Sequence, residues 1–329
     1  MTARRFAGGL PCLLVAAVAA ASSHAATTAS KGATSASKGS SSAAAPLVVV
    51  GAGTRTRMRI TPENTHDLFL ITTNGHVARR LTHTPQDEEE PAWSPDGLRV
   101  AFMRVEQSCK AGVCKGPTAT DIWVMDAAGR AARRITHGTY DSSPSWSPDG
   151  QQLLFRRYGR RYGPPQEGIY VVGADGHGER LLVDATFPQN PDWSPDGKQI
   201  AYVTCVAADP TCETGVTVVD LDSGRRRTLR ARGLPRDAFD VAWSPDGHRL
   251  AVSTSLGVFV VPSDGGTARR IATAAYFSAT WAPAGHRLAL TGNPRHHADI
   301  YVVGSGGQGL KRITNGPRRY YAPDWRPAR

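Results

Sequence analysis

Trp93-Ser94-Pro95-Asp96-Gly97 recurs as Trp146-Ser147-Pro148-Asp149-Gly150, Trp193-Ser194-Pro195-Asp196-Gly197 and Trp243-Ser244-Pro245-Asp246-Gly247. It returns in worn form as Trp281-Ala282-Pro283-Ala284-Gly285 and as Trp325-Arg326-Pro327. A period of roughly 40 to 50 residues marks a propeller or array built from one supersecondary unit per copy. After the first five copies comes an apolar strand: Val100 to Met103, Leu153 to Phe155, Ile200 to Val203, Leu250 to Val252 and Leu288 to Leu290. A loop and another apolar strand follow: Ile122 to Met125, Ile169 to Val172, Val216 to Val219, Val258 to Val261 and Ile300 to Val303. A Gly-containing turn then leads to a short basic strand. Four antiparallel strands per copy make one blade.

The quoted motif has a mechanical reading. Pro presets φ at the first turn corner, Asp bonds the turn backbone, and Gly takes the positive φ that closes the hairpin. Trp fills the space between neighbouring blades, so the Asp of the motif is structural. The last copy supplies only an inner strand, Ala322 to Trp325, whereas Leu47 to Gly51, Asp67 to Ile71 and Arg79 to Thr82 lack one. The two ends are therefore expected to share a blade, giving an all-β, six-bladed β-propeller closed by pairing of N- and C-terminal strands.

The repeat resembles that of the TolB-like family of six-bladed propellers, in which the Trp-Ser-Pro-Asp-Gly turn precedes an Ile-Ala-Phe-like strand, an Asp-Ile-Tyr-Val-like strand and an Arg-Leu-Thr strand. Asp121 to Val124, Gly168 to Val171 and Asp299 to Val302 carry the third of these. The resemblance covers nearly all of Leu47 to Arg329 and implies the fold. No counterpart of the α/β domain that precedes the TolB propeller is read here. Some relatives are fused to serine peptidase domains whose entry the propeller gates. No Gly-x-Ser-x-Gly nucleophile elbow stands in this sequence, so a peptidase partner would be a separate chain.

Met1 to Arg5 is a short basic start, Phe6 to Ala21 an apolar run too short and interrupted to span a bilayer, and Ser23-His24-Ala25 a small-residue cleavage site. Residues 1–25 read as a signal peptide. Cys12 lies inside the apolar run and is not a lipid anchor. Residues 26–46 are almost entirely Ala, Ser, Thr, Gly and two Lys, with nothing large to bury, and read as a flexible tether. Residues 47–329 are the propeller. The expected location is secreted or periplasmic, in the cell envelope exterior, as a monomer without a stable membrane anchor.

The formal charge is +11, with a pI near 9.8. In an exported protein this favours an acidic protein surface or an anionic cell-wall polymer as partner and disfavours nucleic acid. Much of the Arg recurs in one repeat position, as Arg79-Arg80, Arg133-Arg134, Arg225 to Arg227, Arg269-Arg270 and Lys311-Arg312. There it would guard outer strands against edge-to-edge pairing. Cys109 with Cys114 and Cys205 with Cys212 lie in loops between second and third strands and read as two local disulfides rather than a shared zinc site. Gly304 to Gly309 formally matches a dinucleotide fingerprint, but a strand and not a helix follows it. No cofactor and no metal site is expected.

Meander geometry puts the residues ahead of each Trp at the channel mouth opposite the Trp-Ser-Pro-Asp-Gly turns. Three positions ahead, the ring reads Glu90, Ser143, Asn190, Asp240, Ser278, Ala322; one further ahead it reads Glu89, Ser142, Gln189, Phe239, Phe277, Tyr321. Glu89, Glu90, Asn190, Phe239, Asp240, Phe277 and Tyr321 are the candidate ligand-binding residues. Glu90 and Asp240, three blades apart, could face a common cation or act as an acid and base. Arg156, Arg157, Arg160, Arg161, Tyr162, Arg318 and Arg319 form a candidate rim for an anionic partner, with forked donors and stacking faces. No nucleophile, metal set or acid-base pair recurs at a recognisable spacing. The reading is a non-catalytic binding module of the envelope that takes a protein segment or anionic polymer. The alternatives are a lyase or hydrolase of acidic glycans, or a subunit gating a separate peptidase.

Overall fold

The computed structural model describes residues 47–52, 66–110, 113–137, 140–159, 166–205, 213–293 and 297–327, and no helix occurs among them. The leader and tether, Arg160, Arg161, Tyr162, Cys212 and Arg295 lie outside the described residues.

Three strands open the fold: Leu47–Ala52 (β1), His66–Ile71 (β2) and Val77–Arg80 (β3). The Trp93 copy follows as Asp87–Trp93 (β4), Arg99–Lys110 (β5), Val113–Asp126 (β6) and Arg133–Arg134 (β7). The Trp146 copy is Asp141–Trp146 (β8), Gln152–Arg157 (β9), Gly168–Gly173 (β10) and Arg180–Asp184 (β11). The Trp193 copy is Gln189–Trp193 (β12), Gln199–Cys205 (β13), Thr214–Asp220 (β14) and Arg226–Thr228 (β15). A short parallel pair, Ala231–Arg232 (β16) with Gly266–Thr267 (β20), flanks the Trp243 copy, which is Ala238–Trp243 (β17), Arg249–Thr254 (β18), Gly257–Pro262 (β19) and Arg269–Ala272 (β21). Tyr276–Trp281 (β22), Arg287–Gly292 (β23), Asp299–Gly304 (β24) and Lys311–Arg312 (β25) complete the Trp281 copy, and Arg319–Trp325 (β26) ends the series. Each copy is a four-stranded antiparallel meander; β26 pairs antiparallel with β1, so the fourth strand of the first sheet comes from the other end of the chain, in the order β26-β1-β2-β3.

Side chains alternate across a strand, and here both faces are buried. In β5, Val100 and Phe102 pack with Leu68 and Leu81 of the preceding sheet, while Ala101 between them packs with Trp146 and Leu153 of the next. The same division holds throughout: six apolar clusters each lie between two successive sheets, and one of them joins Leu47, Phe69 and Trp325 to Ala289 and Ile300 of the Trp281 sheet. The molecule is an all-β propeller whose core is divided among these interfaces.

The Trp-Ser-Pro-Asp-Gly turn does what its residues require. In the first copy Ser94 Oγ donates to Asp96 Oδ1 at 2.5 Å, Leu98 N donates to the same oxygen at 2.9 Å, and Gly97 takes φ +64°. The turn also fastens sheets together. Arg99 donates to Gly150 O at 2.8 Å and lies 4.5 Å over the Trp146 ring, and Arg326 repeats this on Gly97 O at 2.7 Å and Trp93 at 4.9 Å.

Several arginines of the basic fourth strands, read from the sequence as edge guards, also bond to their own sheet or the next. Arg80, Arg134 and Arg312 each pair at 2.6 Å with an Asp of the neighbouring strand, Asp67, Asp121 and Asp299. Arg79 and Arg133 reach the next sheet's turn, at Ala128 O (3.2 Å) and Asp175 O (3.1 Å). One further reading is refined: Cys109 and Cys114 sit opposite one another in the extended β5–β6 ladder and not in a loop. The Gly304 to Gly309 stretch leads into a strand as read from the sequence, as the hairpin between β24 and β25, closed by Gly304 N donating to Gln308 O at 2.8 Å.

Candidate functional site

The inner strands β4, β8, β12, β17, β22 and β26 adjoin one another around the axis. Each carries a register shift just ahead of its Trp, between Glu89 and Ala92, Ser142 and Ser145, Gln189 and Asp192, Ala238 and Asp240, and Phe277 and Thr280; on β26 it falls opposite Val48 and Val50 of β1. These are β-bulges, which re-aim side chains at the rim of a closed sheet. Glu90, Ser143, Asn190, Ser278 and Ala322 take φ between +46° and +54°. In four of the five the next residue is Pro, which closes the right-handed helical region to its predecessor and has no N–H to lose from the ladder. A non-glycine residue held there costs about 1 kcal/mol or more. The ring three positions ahead of each Trp is thus a ring of strained bulges. Asp240, followed by Val241, is the exception, its bulge falling one residue earlier at Phe239.

The strain is offset by a hydrogen-bonded girdle. Ser143 N donates to Glu90 Oε2 at 2.6 Å, Ser143 Oγ to Asn190 Oδ1 at 2.9 Å, and Asn190 Nδ2 to Phe239 O at 2.8 Å. Asp240 accepts from the backbone of Ala279, and Ala322 N donates to Thr291 Oγ1 at 3.0 Å. Between the first two sheets His66 Nδ1 meets Glu89 Oε1 at 2.5 Å, and the His66 ring lies edge-on to Tyr321 with centroids 5.6 Å apart. Glu90 and Asn190 join this girdle through Ser143, Asp240 through the backbone of Ala279, and Glu89 and Tyr321 through His66. Phe239 beside Asp240 is 37% exposed and Phe187 48%.

A second ring, one position ahead of each Trp, was missed by sequence reasoning. Asp192 accepts from Trp243 N at 2.7 Å and Ser145 Oγ at 2.8 Å. Asp324 accepts from Trp93 N at 2.7 Å and Thr280 Oγ1 at 2.9 Å. Each carboxylate thereby ties its own sheet to both neighbours, and the two stand three sheets apart. The signal was in the sequence: Pro191-Asp192-Trp193 and Pro323-Asp324-Trp325 are the two copies with an acid at this position.

Four carboxyl groups of the inner strands thus stand enclosed by protein: Glu90, Asp192, Asp240 and Asp324. Desolvation raises them all, Asp192 and Asp324 to about 6 and Asp240 to about 7. The charges of Asp192 and Glu90 push Asp240 further the same way. Glu90 and Asp240 are not joined by a third ligand: among the described residues no group of three His, Cys, Asp or Glu side chains is placed to hold a metal ion.

A raised folded-state carboxyl contributes stability that is present below its unfolded value near 4 and lost as pH rises through its folded value. The carboxylates of the turns, such as Asp246, held at about 2 by hydrogen bonds that outweigh its slight burial, titrate below that window. A tenfold difference in proton affinity between folded and unfolded chains is worth about 1.4 kcal/mol, so the melting temperature is expected to fall by at least about 4 °C between pH 4 and 7.5. Asp240→Asn, which can still accept from Ala279, flattens that slope in a differential-scanning series. A flat wild-type profile would refute the assignment.

The rim arginines divide. Arg157 is spent: Nε and Nη2 bond Asp141 at 2.7 and 2.8 Å, Nη1 and Nη2 bond Glu179 at 2.5 and 3.0 Å, and the guanidinium lies 4.6 Å over Tyr170. This corrects its placement among groups open to a partner. Arg318 lies 4.4 Å over Phe69, and Arg319 is exposed at the start of β26. Arg156 is only 8% exposed, 3.5 Å over the Tyr158 ring, and feels Glu90 and Glu167 without touching either.

With this geometry in view, the chain can be set beside known proteins. Residues 166–329 match the TolB beta propeller domain, PD40. "Uncharacterized peptidase YuxL" of Bacillus subtilis (strain 168) is 30% identical over 91 residues, 27% of this chain and 12% of the relative. "Tol-Pal system protein TolB 1" of Novosphingobium aromaticivorans is 33% identical over 81 residues, 25% of this chain and 16% of the relative. The chain thus spans less than a fifth of the length of these two curated relatives. Among solved structures, TolB from Acinetobacter baumannii superposes with a TM-score of 0.69 at 16% identity, covering 86% of this chain and 67% of that one, a likeness of fold. Together the matches support a TolB-like propeller family.

Proposed function

We propose that this TolB-like propeller is an exported, non-catalytic binding module of the cell envelope that recognises a protein segment or anionic polymer at the channel mouth. The six four-stranded sheets and the apolar clusters between them are read as one ring of six blades, closed through β1 and β26. The observation that carries the functional reading is the mouth itself. Its polar side chains are engaged with one another in a girdle, a rigid frame, while Phe187 and Phe239 remain open to a ligand. A rigid polar frame with exposed aromatic rings beside it suits recognition, since binding sites combine apolar surface with a few fixed polar groups. Export would follow cleavage near Ala25. The two disulfides, Cys109 with Cys114 and Cys205 with Cys212, fit that compartment, and Cys205 is disulfide-bonded.

The test immobilises the mature chain and passes envelope extract over it, with Phe239→Ala/Tyr321→Ala as comparator. A component retained by the wild type and lost at least tenfold by the double variant is the expected result. Equal retention by both would sink the assignment to the mouth. The same protein is incubated with acidic glycans, where chain shortening would instead favour the lyase or hydrolase reading. Its intact mass reads a start near Ala26 and four missing thiol hydrogens.

A further inference from the structure

One cation beside the Ser143 bulge has no acceptor among the described residues. Arg156 is the second-strand residue paired in register with Ser142, just beside the strained Ser143, and more than nine-tenths of its surface is withdrawn from solvent. Its Nε is buried without a hydrogen-bond partner, and no hydrogen bond or ion pair forms from the rest of the guanidinium among the described residues. Its neighbour Arg157, one residue along the strand and on the opposite face, makes bidentate pairs with two carboxylates. A guanidinium carries five donors, and withdrawing it from water without acceptors is costly unless something supplies them. Tyr158 supports it from one side, and stacking of this kind holds the plane of the fork.

We infer that Arg156 is the anchor for a carboxylate group presented by a polypeptide segment at the mouth of the channel. The inference rests on the mouth being the binding face. Three features select the ligand. The first is charge. Glu90 and Glu167 are the carboxylates that act on Arg156, and Glu89 adjoins Glu90, so a dianionic phosphate entering beside them meets more repulsion than a monoanionic, planar carboxylate. The fork of Arg matches that planar group with two parallel bonds.

The second feature is how little else is uncommitted. Ser143, Asn190 and Glu90 are joined to one another, so a sugar, with a hydroxyl on nearly every carbon, would lose hydrogen bonds to water that this mouth does not replace. The third is what surrounds the arginine. Glu167 accepts from Phe187 N at 3.0 Å, holding that exposed phenylalanine, itself at φ +49°, near the Arg156 side of the rim. The girdle leads by Ser143 and Asn190 to Phe239. An acidic side chain or chain terminus flanked by apolar residues meets both kinds of group.

The probes are acetyl-Phe-Asp-Phe-amide, its Asn counterpart, trigalacturonate and inorganic phosphate, each titrated by NMR into wild type, Arg156→Gln and Arg156→Met. The Asp peptide is expected to bind the wild type at least tenfold more tightly than the Asn peptide. In Arg156→Gln the two peptides should bind alike, because the carboxylate has lost its partner. A wild type that does not prefer Asp over Asn overturns the inference, as does preferential binding of trigalacturonate or phosphate.

Thermal melting without ligand gives a second reading. A guanidinium buried without acceptors adds little to the stability of the empty protein, so Arg156→Met should melt within a few degrees of wild type or above it. A large drop would make Arg156 a structural residue and end the proposal. If Phe239→Ala/Tyr321→Ala loses the envelope component while Arg156→Gln keeps it, the mouth stands as the binding face and the carboxylate anchor falls alone.

Discussion

Deletion of Tyr320–Arg329 leaves a chain with no cooperative thermal transition above 25 °C. The excised segment holds nearly all of β26, which pairs with β1 from Leu47↔Trp325 to Gly51↔Tyr320, so β1 loses its ladder along one edge. Trp325 and Tyr320 leave the cluster they share with Leu47, Phe69 and Ile300, and truncating a buried Trp alone costs about 3 to 5 kcal/mol. Asp324 goes too, and with it the acceptor for Trp93 N and Thr280 Oγ1. Arg326 no longer covers Trp93. Together these exceed the margin of about 5 to 15 kcal/mol that holds a typical domain folded. Circular dichroism of the purified deletion checks it, and a melting temperature within a few degrees of full length would mean that the first sheet stands without its inner strand.

Asp192→Ala and Asp324→Ala are each expected to lose about 3 to 5 kcal/mol at pH 5, measured by urea unfolding. Removing either carboxylate strands one backbone N–H and one hydroxyl in a closed interior, and an unsatisfied buried group costs about 1 to 3 kcal/mol. The loss shrinks at pH 8. There the wild-type carboxylate is ionised at its own expense, since burial holds its folded-state value near 6, and the Ala variant is spared that cost. Asp192→Asn keeps an acceptor for Trp243 N and should recover most of the stability. An Ala variant within about 0.5 kcal/mol of wild type at pH 5 would show that these contacts do not tie the sheets together, since that is the scatter of neutral surface changes.

The strands were legible because their signals are local. Turn chemistry in Trp-Ser-Pro-Asp-Gly and the apolar runs behind it mark the second and third strands of the Trp-led copies, and alignment of copies picked out the positions headed by Glu90, five of which take a positive φ. The bulges were not legible as such, although Glu90-Pro91, Ser143-Pro144, Asn190-Pro191 and Ala322-Pro323 all set a residue ahead of Pro in an inner strand. The Asp192 and Asp324 ties escaped because their partners are backbone donors on neighbouring sheets, which no sequence displays. Arg156 and Arg157 looked equivalent. They differ because adjacent residues on a strand point to opposite faces, and only one face offers an acid from the first strand, Asp141 five residues ahead of Trp146. Glu88 stands in the same relation to Trp93 and accepts from Arg104 at 3.0 Å, a recurrence that marks Arg157 as the committed one of the two. Two rim arginines and a tyrosine, Arg160, Arg161 and Tyr162, lie outside the described residues.

The pairing of β1 with β26 also sets an order of events during synthesis. Leu47-Val48-Val49-Val50-Gly51-Ala52 emerges early, yet the strand that covers its open edge is made some 270 residues later, a separation that slows folding and leaves an apolar, β-prone template uncovered in the meantime. A chain in that state is still threadable. A chain that must cross a membrane before it folds gains from such a delay, because this sheet cannot complete its pairing until β26 is made. The same delay makes the segment from Leu47 to Ala52 the stretch most in need of a holdase while the chain is incomplete.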